Sequence, residues 1–132
     1  MIEAKLSISK IEQDLRTMIK SVYNGEVFYH NRITLSNSKM NDFMVVKVNG
    51  QVSGTIATDE VISGGCLVMI ELWARDRIGI KDTYKFISLR DQIIGLLPYK
   101  TEDYKIIYNS EVGSRDGIGF HAEFINLKLT VI

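Results

Sequence analysis

The stretch Cys66-Leu67-Val68-Met69-Ile70-Glu71-Leu72-Trp73-Ala74 decides the reading of this chain. Side chains alternate across a strand, so Cys66, Val68, Ile70 and Leu72 share one face. Leu67, Met69 and Trp73 share the other, with Glu71 its one charge. A strand apolar on both faces needs cover on both. Ser63-Gly64-Gly65 marks a turn before it, and Asp76 to Asp82, with Gly79 inside, reads as a charged connector after it.

Working outward, a helix follows the connector. It begins near Thr83 and ends at Leu97, before the single proline, Pro98. Phe86, Ile87, Ile93, Ile94 and Leu97 form its apolar stripe, widened by Leu89 and Leu96. A last hairpin is expected beyond it. Its first strand is Tyr104 to Tyr108, its turn Val112 to Gly119 with Asp116-Gly117 at the tip, and its second strand Phe120 to Ile132. Ile125, Leu127, Leu129 and Val131 share one face of that final strand.

Toward the N-terminus, Phe43 to Val48 reads as a strand with Met44, Val46 and Val48 on one face. Asn49-Gly50 is a hairpin signal, and Gln51 to Ile62 is expected to pair back irregularly around Gly54. Val27 to Leu35, rich in aromatic and β-branched residues, reads as one strand or two short ones, followed by a polar loop over 36–42. Ahead of it, Ser9 and Glu12 stand at capping-box spacing. Ile11, Leu15, Met18, Ile19 and Val22 then recur on one helical face, which places a first helix at about residues 9–23. Asn24-Gly25 reads as its left-handed stop. The expected fold is therefore a single α+β domain over 1–132, a mainly antiparallel sheet with two helices packed on it, in the order α-β-β-β-β-α-β-β.

Composition narrows the function. The 132 residues are 45% hydrophobic and 24% charged, which is globular rather than disordered composition. Sixteen basic residues balance sixteen acidic ones, which argues against a partner held mainly by bulk charge, such as duplex DNA or an anionic membrane. One cysteine excludes an internal disulfide and every multi-cysteine zinc site. The first residues carry no apolar signal region, and no window approaches the roughly 20 apolar residues of a membrane span. A lone thiol fits a reducing cytoplasm.

Candidate chemistry is sparse. Gly113 to Gly119 is glycine-rich, but an alternating strand and not a helix follows it, and the stretch holds no lysine for a phosphate. His30 and His121 lack a nearby His or Cys, although His121 and Glu123 share a strand face. Cys66 belongs to the apolar strand and reads as a small buried hydrophobe. Tyr99, Tyr104 and Tyr108 accompany Lys100 and Lys105, but Glu102 and Asp103 neutralise that stretch, so nucleic-acid stacking is the weaker reading. No catalytic residue, cofactor site or metal site is expected. Uncovered apolar faces and edges drive association at about 25 cal/mol per Å² buried, so a neighbouring subunit is one remedy.

The whole-chain plan resembles the tail terminator (tail completion) proteins of long-tailed bacteriophages and their head–tail joining relatives. An N-terminal helix (Ile8 to Tyr23) precedes an aromatic extended segment (Val27 to Leu35). The apolar strand Leu67 to Trp73 leads through a charged connector into the helix Asp82 to Leu97, and a C-terminal hairpin ends on Phe124 to Val131. The proline-rich entry before the first strand that some relatives show is missing. The resemblance implies a small structural subunit with no catalytic residues. It implies assembly into a homo-oligomeric ring, typically a hexamer, that caps the tail tube and joins it to the neck. Tail tube protein and a neck or head-completion protein are the implied partners, DNA passes only transiently through the pore, and no membrane is involved. The implied place is the virion, after assembly in the bacterial cytoplasm. Loops on a rigid sheet usually carry recognition, so the connector (Arg75, Asp76, Arg77) and the hairpin tip (Arg115, Asp116) are the expected contact residues. The alternative is a small ligand-binding or enzymatic α+β domain, which would use His30, His121 or Glu123 around an apolar pocket.

Overall fold

The computed structural model describes residues 8–29, 41–49, 65–117 and 119–132, with backbone alone for 49 and 112–117. The chain is α+β: two helices and a six-stranded mixed sheet. The elements in chain order are α1 (Ile8–Lys20), β1 (Glu26–Tyr29), β2 (Asp42–Asn49), β3 (Gly65–Arg75), α2 (Thr83–Ile94), β4 (Tyr99–Lys100), β5 (Tyr104–Gly117) and β6 (Phe120–Val131). In space the strands lie β1-β2-β3-β6-β5-β4. β1 runs parallel to β2, and every other pairing is antiparallel.

The doubly apolar strand takes a central place. β3 pairs with β2 on one side and β6 on the other, so Ile70 stands between Val46 and Ile125, and Val68 between Val48 and Leu127. Both helices pack on this face. Ile11, Leu15, Met18 and Ile19 of α1 and Phe86, Leu89 and Ile93 of α2 close over Val46, Val68, Ile70, Leu72, Tyr104 and Leu127. Each such fully buried side chain contributes about 1.5–3 kcal/mol, offsetting the entropy of ordering the chain.

The other face of β3 belongs to an aromatic row that runs across neighbouring strands of the sheet. Trp73 stacks on Phe43, with centroids 5.6 Å apart and planes within 6°. Phe28 and Phe120 meet Phe43 edge-on, each at 5.7 Å, and the Arg75 guanidinium lies 4.6 Å over the Phe120 ring. Glu71 is buried, and the Trp73 indole donates to its Oε1 at 2.8 Å. The demand for cover is thus met by the helices on one face, whereas on the other the aromatic row is part of the sheet face itself and Leu67 stays 46% exposed.

Several boundaries differ from the sequence reading. α1 begins at Ile8 and ends at Lys20, so Ser9 lies inside the helix and does not cap it. Its end is not a left-handed glycine: among the described glycines only Gly79 and Gly119 have positive φ. Turn bonds from Ser21, Val22 and Tyr23 back to Thr17, Met18 and Ile19 close the helix instead, and Val22 is exposed. α2 is capped by Asp82, whose carboxylate accepts from Lys85 N at 3.2 Å, and it ends at Ile94. Its buried stripe runs through Leu89, while Ile87 is exposed. β5 is far longer than Tyr104 to Tyr108. Irregularities between Tyr108 and Ser110 and between Val112 and Ser114 let it continue to Gly117, because bulges absorb residues a regular ladder could not place. The expected order had a strand at 51–62, which lies outside the described residues, and it lacked β4.

Candidate functional site

The connector at the end of β3 gathers most of the polar side chains singled out from the sequence. Arg77 and Ile80 form a two-residue hairpin. Arg77 N donates to Ile80 O at 2.8 Å, and Ile80 N donates back to Arg77 O at 3.0 Å. Its two tip residues, Ile78 and Gly79, both have positive φ, 53° and 74°. Hairpins with both tip residues left-handed favour Asn-Gly or Gly-Gly. A branched residue there costs about 1–2 kcal/mol, so Ile78 sits against its local preference. Its side chain is 97% exposed, with Ile80 and Tyr84 largely exposed beside it in sequence.

The hairpin is anchored by charged pairs. Asp76 Oδ1 lies 2.5 Å from His121 Nδ1 of β6, and Asp76 N donates to Gly119 O at 2.9 Å. Lys81 pairs with Glu123 of β6, and its ammonium lies 5.1 Å from the Phe86 ring centroid. Lys85 pairs with Asp42 of β2 at 3.0 Å, and the same carboxylate accepts from the Tyr23 phenol. Burial, then the bond to Asp42, holds the Tyr23 phenol far above the ordinary tyrosine range. Arg77 is exposed and has no ion-pair partner among the described residues.

Beside these groups lies an open cleft of about 300 Å³, formed by Asn41 and Asp42 at the start of β2, Arg75 at the end of β3, Asp76 and Arg77 of the connector, and Asp82 and Lys85 at the start of α2. Ligand pockets of this size are ordinarily apolar with a few polar groups, whereas this lining is almost wholly charged. Chemically, the Asp76–His121 pair fixes an imidazole orientation. The thiol sits at the other end of β3: Cys66 pairs with Leu129 and Ala74 with His121, eight residues or about 26 Å apart. Burial pushes that thiol up to about 11. Among the described residues, no cluster of three His, Cys, Asp or Glu is placed to hold a metal ion. No described helix is long and apolar enough to cross a membrane.

The expected contact residues divide. Arg75, Asp76 and Arg77 fall together at the cleft. Arg115 and Asp116 do not form a loop tip: they belong to β5, paired with Ala122 and His121, and the turn falls two residues later, between Gly117 and Phe120. His30 lies outside the described residues. The sequence reading missed Ile78 and Ile80, although isoleucines flanking a glycine inside a charged connector were a visible signal. It also missed the Asp76–His121 and Lys81–Glu123 pairs, which join positions more than forty residues apart.

The scan against family models and the search of curated proteins returned no match for this chain.

Proposed function

We propose that this protein is a structural, ring-forming subunit of the tail terminator or head–tail joining kind in a long-tailed bacteriophage or prophage. It acts by shape: copies close into a ring, a hexamer in the family's typical form, that caps the tail tube and connects it to the neck. Its partners are tail tube protein and a neck or head-completion protein, with DNA passing only through the pore. It assembles in the bacterial cytoplasm and stays in the virion.

The observation that carries this reading is the Ile78 hairpin. A strained apolar tip, 97% exposed and fastened to β6 by the paired connector, suits a docking element and burdens a chain that stays alone. Balanced charge suits a pore that must release DNA. Light scattering with negative-stain microscopy, on the chain alone and mixed with tail tube protein, tests it. Rings or tube-capping particles are expected. Monomers under both conditions overturn the reading.

The Asp76–His121 pair at the cleft favours one second reading, a small ligand-binding or enzymatic domain. There, His121→Ala would abolish ligand binding or turnover, while in the structural reading it disturbs only the connector.

A further inference from the structure

We propose that the Ile78 hairpin of one copy docks on the β4–β5 turn of a second copy, where Ile132 lies exposed beside Glu102, so that copies join head to tail. This rests on the ring-forming reading and names the contact that would build the ring.

The two surfaces stand at opposite ends of the sheet. The hairpin follows Arg75, the last residue of β3. At the other end Gly65 pairs with Thr130, and two residues further on Ile132 N donates to Asp103 O at 2.9 Å, in the turn between β4 and β5. The eleven residues of β3 separate the two by about 36 Å. They therefore cannot meet within one copy. A contact between unlike surfaces on two copies is heterologous, and such contacts generate closed rings or filaments rather than two-fold dimers.

Their chemistry matches. The hairpin offers Ile78, Ile80 and Tyr84, 97%, 69% and 86% exposed, and the turn offers Ile132 at 66%. Around the hairpin the carboxylates are committed: Asp76 to His121, Glu123 to Lys81, Asp42 to Lys85 and Asp82 to the α2 cap. Arg77 is the guanidinium left without a partner there, among the described residues. At the turn, Glu102 is an exposed carboxylate without a partner among the described residues. Lys100 and Lys105 pair across β4 and β5 behind it, leaving Glu102 and Asp103 at the tip. Four apolar side chains and one ion pair make a contact well below the roughly 800 Å² per partner of a standard interface. One such contact is weak, and a closed ring gives every copy two.

Sedimentation velocity of the full chain over a concentration series, with thermal unfolding alongside, tests the contact. Ile78→Asn suits the left-handed tip better than isoleucine, so its unfolding midpoint should hold or rise while association weakens at least about tenfold. Arg77→Glu should weaken association similarly, and adding Glu102→Arg to it should restore it. Association that none of these variants changes overturns this contact and leaves ring formation standing. A chain that stays monomeric at every concentration also overturns the contact, and the tail-tube experiment then decides the broader reading separately.

Discussion

The Tyr23 phenol donates to Asp42 across nineteen residues of sequence, tying the turn after α1 to the first residue of β2. Lys85 of α2 reaches the other oxygen of the same carboxylate at 3.0 Å. One aspartate thus fastens both helical segments to the sheet, at the end where the connector cleft opens.

Removing that carboxylate strands two partners. Asp42→Ala should cost about 1–3 kcal/mol, nearly all of it from the buried phenol left without an acceptor, because Lys85 is 42% exposed and water takes over its ammonium. Asp42→Asn keeps an acceptor and should cost less. Urea unfolding monitored by Trp73 fluorescence measures both, and equal losses would mean that the charge, not the acceptor, holds the joint.

Alkaline pH probes the same joint. Burial first, and then the bonds to Asp42 and Asp14, raise the phenols of Tyr23 and Tyr104 far above their ordinary value. The folded state keeps these protons while the unfolded chain releases them above about pH 10. Their contribution is therefore complete below pH 10 and is lost as pH rises, by about 1.4 kcal/mol per pH unit for each tyrosine. Tyr104→Phe also loses the 2.6 Å bond to Asp14, so it should be less stable at pH 7 yet show a shallower decline above pH 10. Stability measured at pH 7, 10 and 11 checks the slope.

Local pattern made the central elements legible. Alternation along 66–74 and the helical stripe through Ile11, Leu15, Met18 and Ile19 are properties of neighbouring residues, and both stand in the structure. What escaped reading depends on distant partners. β5 outruns its glycines and polar residues because β6 supplies a full-length neighbour. β1 has only four residues, and its parallel pairing with β2 leaves no mark in the composition of either strand. At the cleft, Arg75, Asp76 and Arg77 were readable as a charged connector. The commitment of Asp76 to His121, which leaves Arg77 as the odd charge, was not.

The rotation of α2 gives a direct check on its packing. Leu89 is buried under the helix, while Ile87, two residues earlier, is 49% exposed. Leu89→Ala should cost about 2–5 kcal/mol by emptying core volume. Ile87→Ala should change stability by about 0.5 kcal/mol or less. If the two losses are equal in urea unfolding, α2 presents a different face to β3.

The thiol of Cys66 offers a probe of β3 itself. It lies on the helix-covered face beside Leu129, 2% exposed, and burial pushes it up to about 11. The thiolate is the reactive form, so two effects act together: little thiolate exists near pH 8, and reagent cannot reach it. A disulfide-exchange reagent such as dithionitrobenzoate should leave the native chain unmodified for as long as the sheet stays closed. In denaturing urea it should titrate one thiol at once. Under native conditions the slow labelling rate should follow the opening of β3, and Asp42→Ala, which loosens both helical segments, should speed it in proportion to the stability lost. Fast labelling of the native wild type would mean that the face of β3 beneath α1 and α2 is not sealed.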